Sequence, residues 1–275
     1  TSDAMVEGVH FDERLSPEDV GWKLIACNVS DICSMGRLPE WATLTAAVPE
    51  GFDIDWIKRF RKGMREALSH WNVDLVGGDT IRSSTLLFSV TMGSRNGSKP
   101  IFRSGALPGD GIWITGFIGE ASVGFHQPDN EMGSKAFRRP EPPAEVAQAL
   151  GKSGVVHSMI DLSDGLRMDL ERLCSASNVG AIVYPDQLPI GPAITYVDNP
   201  LEHQVAFGED YQLLFTTLDT MDPFITAMSR RYKIRMTKIG NILEQKDVKL
   251  KDLDWPEPMF QHFNQKAKSG KHKKK

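Results

Sequence analysis

The sequence IDLSDGL at residues 160–166 places two carboxylates and a hydroxyl where an apolar strand gives way to a helix. The leucines that follow recur at helical spacing, so the helix is predicted to begin within this motif. An acidic strand-to-helix junction of this kind is suited to a metal ion and a phosphate group. The alternative to a metal or phosphate site is a purely structural role, in which Ser163 caps the helix and Asp164 interacts with the helix dipole.

Three further acids stand in or beside apolar or glycine-rich segments rather than on charged faces. They are Asp3 in TSDAMVEGVHF, Asp31 in NVSDICSMG and Asp79 in VGGDTIRS. Mg²⁺ takes oxygen ligands and bridges substrate phosphates, so carboxylates that are dispersed along the chain can converge on it. The first hypothesis is therefore phosphoryl chemistry on a nucleotide. Ordinary turn chemistry is the alternative for Asp79, and a structural role is the alternative for His10.

The composition is that of a globular protein and narrows the setting. The chain has 275 residues, of which 40% are hydrophobic and 25% charged, which favours two domains. A net charge of −4 gives no general attraction to nucleic acid or to an anionic membrane. With no apolar run of membrane-spanning length and no secretory signal, we expect a cytoplasmic protein without nucleic-acid or membrane partners. The three cysteines form no CxxC pair and are expected to be core thiols: Cys27, Cys33 and Cys174.

Two long helices are predicted in the first half of the chain. Ser16 and Pro17 have the character of an N-cap and a first helical residue, and the helix that they open should end near Gly36. Asp31 lies in or near its last turn among apolar neighbours, so a cation or a buried hydrogen-bond network must compensate its charge. A second helix is indicated by apolar residues spaced by three and four between residues 54 and 71.

The rest of the chain is predicted to alternate strands and helices. Residues 72–76 and 85–92 are strand-like, and the GGDT sequence at residues 77–80 is predicted to be the loop between them. A segment rich in Gly, Pro and Ser at residues 94–111 indicates a domain junction. The predicted units are an N-terminal domain at 1–103, a C-terminal α/β domain at 104–263 and a disordered Lys-rich tail at 264–275.

Six segments have the order and spacing of a known enzyme family. They are TSDAMVEGVHF, KLIACNVSDICSMGRLP, LVGGDTIRS, FRSGALPGD, MIDLSDGLRMDL and FGEDYQLLF. Together they closely resemble thiamine-monophosphate kinase, a member of the group that folds like aminoimidazole ribonucleotide synthetase. VEGVHF and GEDY are more specific to the kinases than SDG or GGD. The resemblance implies an α/β (α+β) fold of two domains, with an N-terminal mixed sheet. It also implies a homodimer whose N-terminal domains pair through their sheets to build the nucleotide sites.

The same resemblance implies an activity and a set of site residues. The activity is transfer of the γ-phosphoryl group of ATP to thiamine monophosphate, assisted by several Mg²⁺ ions, as the last step of thiamine diphosphate biosynthesis. The positions that match metal ligands are Asp3, Asp31, Asp79, Asp161 and Asp164, with Thr1 and Ser2 as neighbouring donors. The positions that match ATP contacts are Gly78, Asp79, Arg103 and Ser163. The positions that match contacts to thiamine phosphate are His10, Glu209 and Phe260.

The chemistry of this reaction agrees with what the sequence lacks. There is no GxxxxGK[ST] loop and no kinase-type lysine motif, so metal ions must supply most of the charge neutralisation. A phosphate monoester has its second pKa near ~6, so the accepting oxygen is already largely ionised at neutral pH. No general base is needed, and no Ser, Cys or His nucleophile is expected. Arg103 can brace the phosphates.

Some features depart from the family pattern and leave alternatives open. Family members carry a GDDAA-type segment ahead of the position of Thr1, so we expect the site to be incomplete without it. Phe207 replaces a glycine that is usual before GEDY, and GEAS at residues 119–122 differs from the usual GDSA. One alternative is an ATP-dependent synthetase of the same fold group, against which VEGVHF and GEDY argue. The other is a degenerate, non-catalytic nucleotide-binding homologue.

Overall fold

The computed structural model describes residues 1–95 and 99–259 of the chain. Eight α-helices lie in these ranges: α1 Pro17–Ser34, α2 Ile54–His70, α3 Glu120–His126, α4 Glu131–Arg138, α5 Ala144–Ser153, α6 Leu166–Ser177, α7 Pro200–Ala206 and α8 Asp222–Tyr232. The strands are β1 Ser2–Val6, β2 Trp41–Val48, β3 Asp74–Arg82, β4 Leu87–Gly93, β5 Asp110–Thr115, β6 Val156–Asp161, β7 Gly180–Val183, β8 Leu213–Leu218, β9 Met236–Leu243 and β10 Val248–Leu250.

The strands form two mixed sheets, which confirms the predicted fold class. The first sheet has the order β1-β4-β2-β3, with β2 and β3 parallel and the other pairs antiparallel. The second has the order β10-β7-β9-β5-β8-β6, with only β10 and β7 parallel within the described ranges. Among the helices that the structure describes, none combines the length and the apolar character needed to cross a membrane.

Helix α1 lies between the two sheets and begins where the sequence predicts. The Ser16 hydroxyl accepts a hydrogen bond from the amide of Asp19 at 3.2 Å, and Pro17 is the first helical residue. Between Gly21 and Ser34 every residue is buried except Asp31, which is half-buried. The helix packs against α2 on one side and against β4 and β6 on others. It therefore carries a few polar side chains into the interior, of which Ser30 contacts the end of β6.

Helix α2 covers the outer side of α1 and confirms the second predicted helix. Its apolar stripe buries Phe60, Met64 and Ala67, and the ring of Phe60 stacks on Phe88 of β4 with a centroid separation of 4.0 Å. One hydrophobic cluster joins residues of both sheets, including Met5 and Phe215. The domain boundary at residues 103 and 104 remains a prediction, as does the tail from residue 264, which lies outside the described residues.

The prediction for the GGDT segment was wrong, because it is part of a strand rather than a loop. Strand β3 pairs in parallel with β2 through this segment, with a register shift between Ala42 and Thr43. Gly78 has φ of +156°, and a Cβ atom there would lie 1.9 Å from the carbonyl oxygen of Leu44. Glycine therefore lets β3 follow its neighbour at close range. All nine residues of β3 are exposed.

Two further local predictions hold. Strand β6 ends at Asp161 and α6 begins at Leu166, so the acidic motif does lie at a strand-to-helix junction. The three cysteines are buried free thiols, as expected for core residues.

Candidate functional site

The last turn of α1 and the end of β6 bring two carboxylates together from distant parts of the sequence. The Ser30 hydroxyl donates to Asp161 Oδ2 at 2.7 Å, so α1 and β6 are joined directly at this point. The Thr1 hydroxyl donates to Asp31 Oδ2 at 2.5 Å. Asp31 and Asp161 therefore lie side by side, each with one oxygen bound by a hydroxyl.

Burial controls the electrostatics of this pair. Asp161 is 3% exposed, and burial, with a further contribution from the Asp31 carboxylate, raises its pKa to about 7. Burial also raises the pKa of Asp31, as does the charge of Asp3, while the Thr1 hydrogen bond opposes the rise. Like charges in a low-dielectric setting repel, and a divalent cation would relieve that repulsion.

The donor types at this position fit a hard cation such as Mg²⁺. They are carboxylate and hydroxyl oxygens, the ligands that Mg²⁺ prefers. Within residues 1–95 and 99–259, no three Asp, Glu, His or Cys side chains already form a cage for a metal ion. The site therefore supplies part of a ligand set, to which a bound phosphate or further residues would have to add.

The SDG turn that follows β6 is held by a residue that the sequence analysis did not consider. One oxygen of Asp169 accepts hydrogen bonds from the amides of Ser163, Asp164 and Gly165 at 3.1, 3.0 and 3.1 Å. Burial, with the nearby Asp164, raises the pKa of Asp169 to about 6. The N-cap residue of α6 is Gly165 and no side chain of the described residues caps it, so Ser163 does not cap the helix. Arg172 pairs with both Asp164 and Asp169.

Beside this turn lies a cleft of about 150 Å³ that collects the candidate substrate residues. His10 and Glu209 line it together with Ser163 and Asp164. The amide of Val6 donates to His10 Nδ1 at 3.1 Å, so a neutral ring carries its proton on Nε2. Aromatic rings form the apolar part of the wall: Phe11, Phe125, Phe137 and Phe207.

The GEDY segment is locked against the SDG turn. A Cβ atom at Gly208 would lie 1.9 Å from the carbonyl oxygen of Ser163, so only glycine permits this approach. The amides of Glu209 and Tyr211 donate to the carbonyls of Ser163 and Leu162, both at 2.9 Å. Both residues have positive φ, +72° and +50°, an uncommon conformation that these contacts maintain. Glu209 is thereby presented to the cleft.

Asp210 of the same segment lies on the other side, away from the cleft. Its carboxyl accepts hydrogen bonds from the amides of Gly119 at 2.8 Å and Ala121 at 3.3 Å. Burial raises the pKa of Asp210 to about 8, although both amides oppose the rise. In this short segment, Glu209 therefore faces the cleft, whereas the next residue, Asp210, supports the loop behind it.

Arg103 lies beside the Asp31 end of the site. It lines a second cavity, of about 460 Å³, together with Thr1, Asp31 and Ser104. Its positive charge acts to lower the pKa of Asp31. A guanidinium next to paired acids is suited to phosphate oxygens that approach them.

Asp79 and Gly78 are not brought to this site within one chain. Asp3 on β1 and Asp79 on β3 lie on opposite edges of the first sheet, with β4 and β2 between them. Three inter-strand spacings put about 14 Å between these strands. Gly78 shares this remote edge with Asp79. The hydroxyl of Ser2 is 3.1 Å from that of Thr91, while Thr1 reaches Asp31.

Three residues that support the site were missed by the sequence analysis. Ser30 and Lys23 lie on the apolar helix α1, and the same argument that singled out Asp31, a polar side chain among apolar neighbours, could have found them. Asp169 lies in the first turn of α6, where an acid is a recognised N-terminal signal. Phe260 lies outside the described residues, but the amide of Met259 before it donates to Ala206 at 2.8 Å.

Comparison with known proteins places most of the chain in one family. The family model described as AIR synthase related protein, N-terminal domain, matches residues 1–94, and that of the C-terminal domain matches residues 108–252. The thiamine-monophosphate kinase of Buchnera aphidicola subsp. Acyrthosiphon pisum is 32% identical over 253 residues, which is 88% of this chain and 78% of that protein.

Solved structures agree with the sequence relatives. The crystal structure of thiamine-monophosphate kinase from Stenotrophomonas maltophilia K279a superposes with a TM-score of 0.85 at 30% identity, covering 91% of this chain and 84% of that one. The structure of AaThiL complexed with AMPPCP and TMP gives a TM-score of 0.82 at 29% identity, covering 96% and 86%. From these matches, the chain belongs to the AIR synthase related family and, within it, to the thiamine-monophosphate kinases.

Proposed function

We propose that the protein transfers the γ-phosphoryl group of ATP to thiamine monophosphate, giving thiamine diphosphate and ADP. It would thus be a phosphotransferase with a phosphate group as acceptor. The observation that carries this proposal is the junction of α1, β6 and the GEDY segment. There, the cleft lined by His10 and Glu209 adjoins Ser163 and Asp164 and lies next to the buried acids. The named relatives support the same reaction.

The nucleotide end of the site would lie around the paired acids. Asp31 and Asp161, with Asp3, Asp164 and the Thr1 hydroxyl, would hold Mg²⁺, which supplies charge neutralisation to the phosphates. Arg103 would brace the phosphate oxygens that approach Asp31. The Ser163 hydroxyl, on a turn fixed by Asp169, would contact the nucleotide.

The acceptor end would lie in the aromatic cleft. His10 would bind the phosphate of thiamine monophosphate. Phe207 and Phe125 would contact the flat rings of thiamine, and Glu209 would accept a hydrogen bond or face the thiazolium charge. Because the accepting phosphate is already largely ionised, the chain's own groups bind and orient rather than remove a proton. Phe260 remains a proposed contact.

A homodimer would complete the metal site. Strand β3 is an exposed edge along its whole length, and such edges are sites of pairing with another chain. Asp79 and Gly78 lie on this edge, far from Asp3 of the same chain. If the N-terminal sheets of two copies associate, Asp79 and Gly78 of the partner subunit would complete the site that contains Asp3 and Asp31. Several Mg²⁺ ions could then be held between the protomers.

The proposal is tested by assaying the purified protein with Mg·ATP and thiamine monophosphate. Thiamine monophosphate and thiamine diphosphate are oxidised to their fluorescent thiochrome derivatives. Chromatography then separates the two derivatives, and their fluorescence is measured. We expect thiamine diphosphate only when ATP and Mg²⁺ are both present. A synthetase would instead release inorganic phosphate with a different acceptor. A degenerate homologue would bind AMPPCP, measured by calorimetry, without forming product, and that result would reject the kinase.

A further inference from the structure

Lys23 is a lysine whose side chain is almost completely withdrawn from water. Its relative exposure is 1%, and it lies on α1 among buried apolar residues. Its ammonium group has no hydrogen-bond partner of regular geometry among the described residues, so its charge must be met in another way. Burying an ammonium group without compensation is strongly unfavourable. A charge retained in such a place requires an explanation.

Two cleft residues compensate this charge. The ammonium forms an ion pair with Glu209 Oε2, and it lies 3.7 Å from the ring centroid of Phe137, over the face of the ring. Lys23 itself does not line the cleft, whereas Glu209 and Phe137 both do. The lysine therefore reaches the cleft from behind and contacts two parts of its wall.

The other oxygen of Glu209 is held as well. The Tyr211 hydroxyl donates to Glu209 Oε1 at 3.3 Å, and the thiol of Cys27 donates to the Tyr211 oxygen at 3.0 Å. Cys27 lies four positions after Lys23, so both chains of contact begin on α1. With its backbone fixed at positive φ, the Glu209 carboxylate is oriented from both sides while its side chain stays 33% exposed.

We propose that Lys23 is a positioning residue for substrate binding, which fixes the orientation and balances the charge of Glu209 and so shapes the thiamine end of the cleft. The proposal rests on the proposed function, because it takes thiamine monophosphate as the ligand of this cleft. Without Lys23, the Glu209 carboxylate would lose its orientation, and the adjacent Phe137 ring would lose a contact on one face. Binding of the acceptor should suffer, whereas binding of Mg·ATP, which occurs near Asp31, should not.

The kinetic test compares Lys23→Met with Lys23→Arg and with a control, Lys238→Met. Lys238 also forms ion pairs, with Asp219 and Asp222, but lies away from the cleft. We expect Lys23→Met to raise the KM for thiamine monophosphate at least ~10-fold, while the KM for Mg·ATP changes less than ~2-fold. Lys23→Arg should recover part of this loss of affinity. The control variant should have the KM values of the wild type. Equal losses in both KM values, or none, would overturn the proposal.

A stability cycle keeps the proposal testable even if Lys23→Met folds poorly or the protein has a different substrate. Glu209→Gln leaves the buried ammonium unpaired, so its Tm should fall, and adding Lys23→Met should restore part of that fall. The cycle needs no activity, so a failed kinase assay with a strongly coupled cycle would reject the proposed function but not the Lys23–Glu209 pairing. Additive Tm changes would show that the two side chains act independently and would overturn the positioning role.

Discussion

At the residue scale, the pair formed by Asp31 and Asp161 is the most distinctive chemical feature of the molecule. Each carboxylate has one oxygen bound by a neighbouring hydroxyl, and burial raises the pKa of both. Neither side chain is placed here to stabilise the fold, since two adjacent acids destabilise it when both are ionised. This arrangement supports the proposed role of the pair in binding a cation together with phosphate.

Asp31→Asn should separate function from stability. Removing this charge relieves the repulsion on Asp161, so the variant should unfold at the same temperature as wild type or a higher one. Its kcat should fall roughly 100-fold or more, the scale of losing one electrostatic contact in a transition state. Steady-state kinetics and thermal unfolding in the absence of Mg²⁺ provide the two readouts. The matched control is Asp55→Asn, an exposed acid paired with Lys58. Unchanged turnover in Asp31→Asn would reject its metal-binding role.

Asp210 should make stability depend on pH. Its folded-state pKa of about 8 lies above the unfolded value, so the folded protein retains a proton that the unfolded chain releases. This contribution to stability is fully present below about pH 4 and is lost as pH rises through about 8. Urea unfolding between these limits should show a decline that is shallower in Asp210→Asn. Parallel curves for the two proteins would contradict the prediction.

At the element scale, helix α6 depends on an internal carboxylate in place of a capping side chain. Asp169 binds three consecutive amides of the SDG turn, and the N-cap residue itself is Gly165. This contact sets the direction of the turn that carries Ser163 and Asp164 from the end of β6. Loss of Asp169 should thus affect both the helix and the nucleotide site.

Asp169→Ala should cost about 2 kcal/mol in the free energy of unfolding, because it removes a cap and leaves three amides without their acceptor. The KM for Mg·ATP should rise, since Ser163 loses its fixed position. Urea denaturation and kinetics provide the measurements. In the control Arg172→Ala, Asp169 still accepts from the amides, so its stability loss should be smaller. An equal loss in the two variants would show that the ion pair, rather than the cap, holds the turn.

The elements also show where reasoning from the sequence reaches its limit. Helices α1 and α2 follow from local signals, a Ser-Pro start and apolar spacing, and the structure contains both. The strand structure of the GGDT segment does not follow from local signals, because two adjacent glycines locally favour a turn. Only pairing with β2, which is distant in the sequence, makes this segment a strand. The partnership of Asp161 with Ser30 is likewise non-local. The candidate site residues that lie close together in the structure were identified by family resemblance and not by hydrophobic periodicity.

At the scale of the whole molecule, the separation of Asp79 from the other acids has a direct test. If Asp79 acts in the site of the partner subunit, a heterodimer of Asp31→Asn and Asp79→Asn has one site with both defects and one intact site. Mixing the two inactive variants after reversible dissociation should restore about one quarter of wild-type activity, by random pairing. If both residues acted within one chain, every site would carry a defect and mixing would restore nothing.

The measurement that addresses the central claim most directly is phosphorus NMR of the purified protein with Mg·ATP and thiamine monophosphate. It resolves every phosphorylated species in one tube. Transfer of the γ-phosphoryl group predicts that the resonances of thiamine diphosphate and ADP grow in equal amounts while those of ATP and thiamine monophosphate decline, with no inorganic phosphate. Growth of inorganic phosphate with thiamine monophosphate unchanged, or no change in any resonance, would contradict the assignment of this chain as an active thiamine-monophosphate kinase.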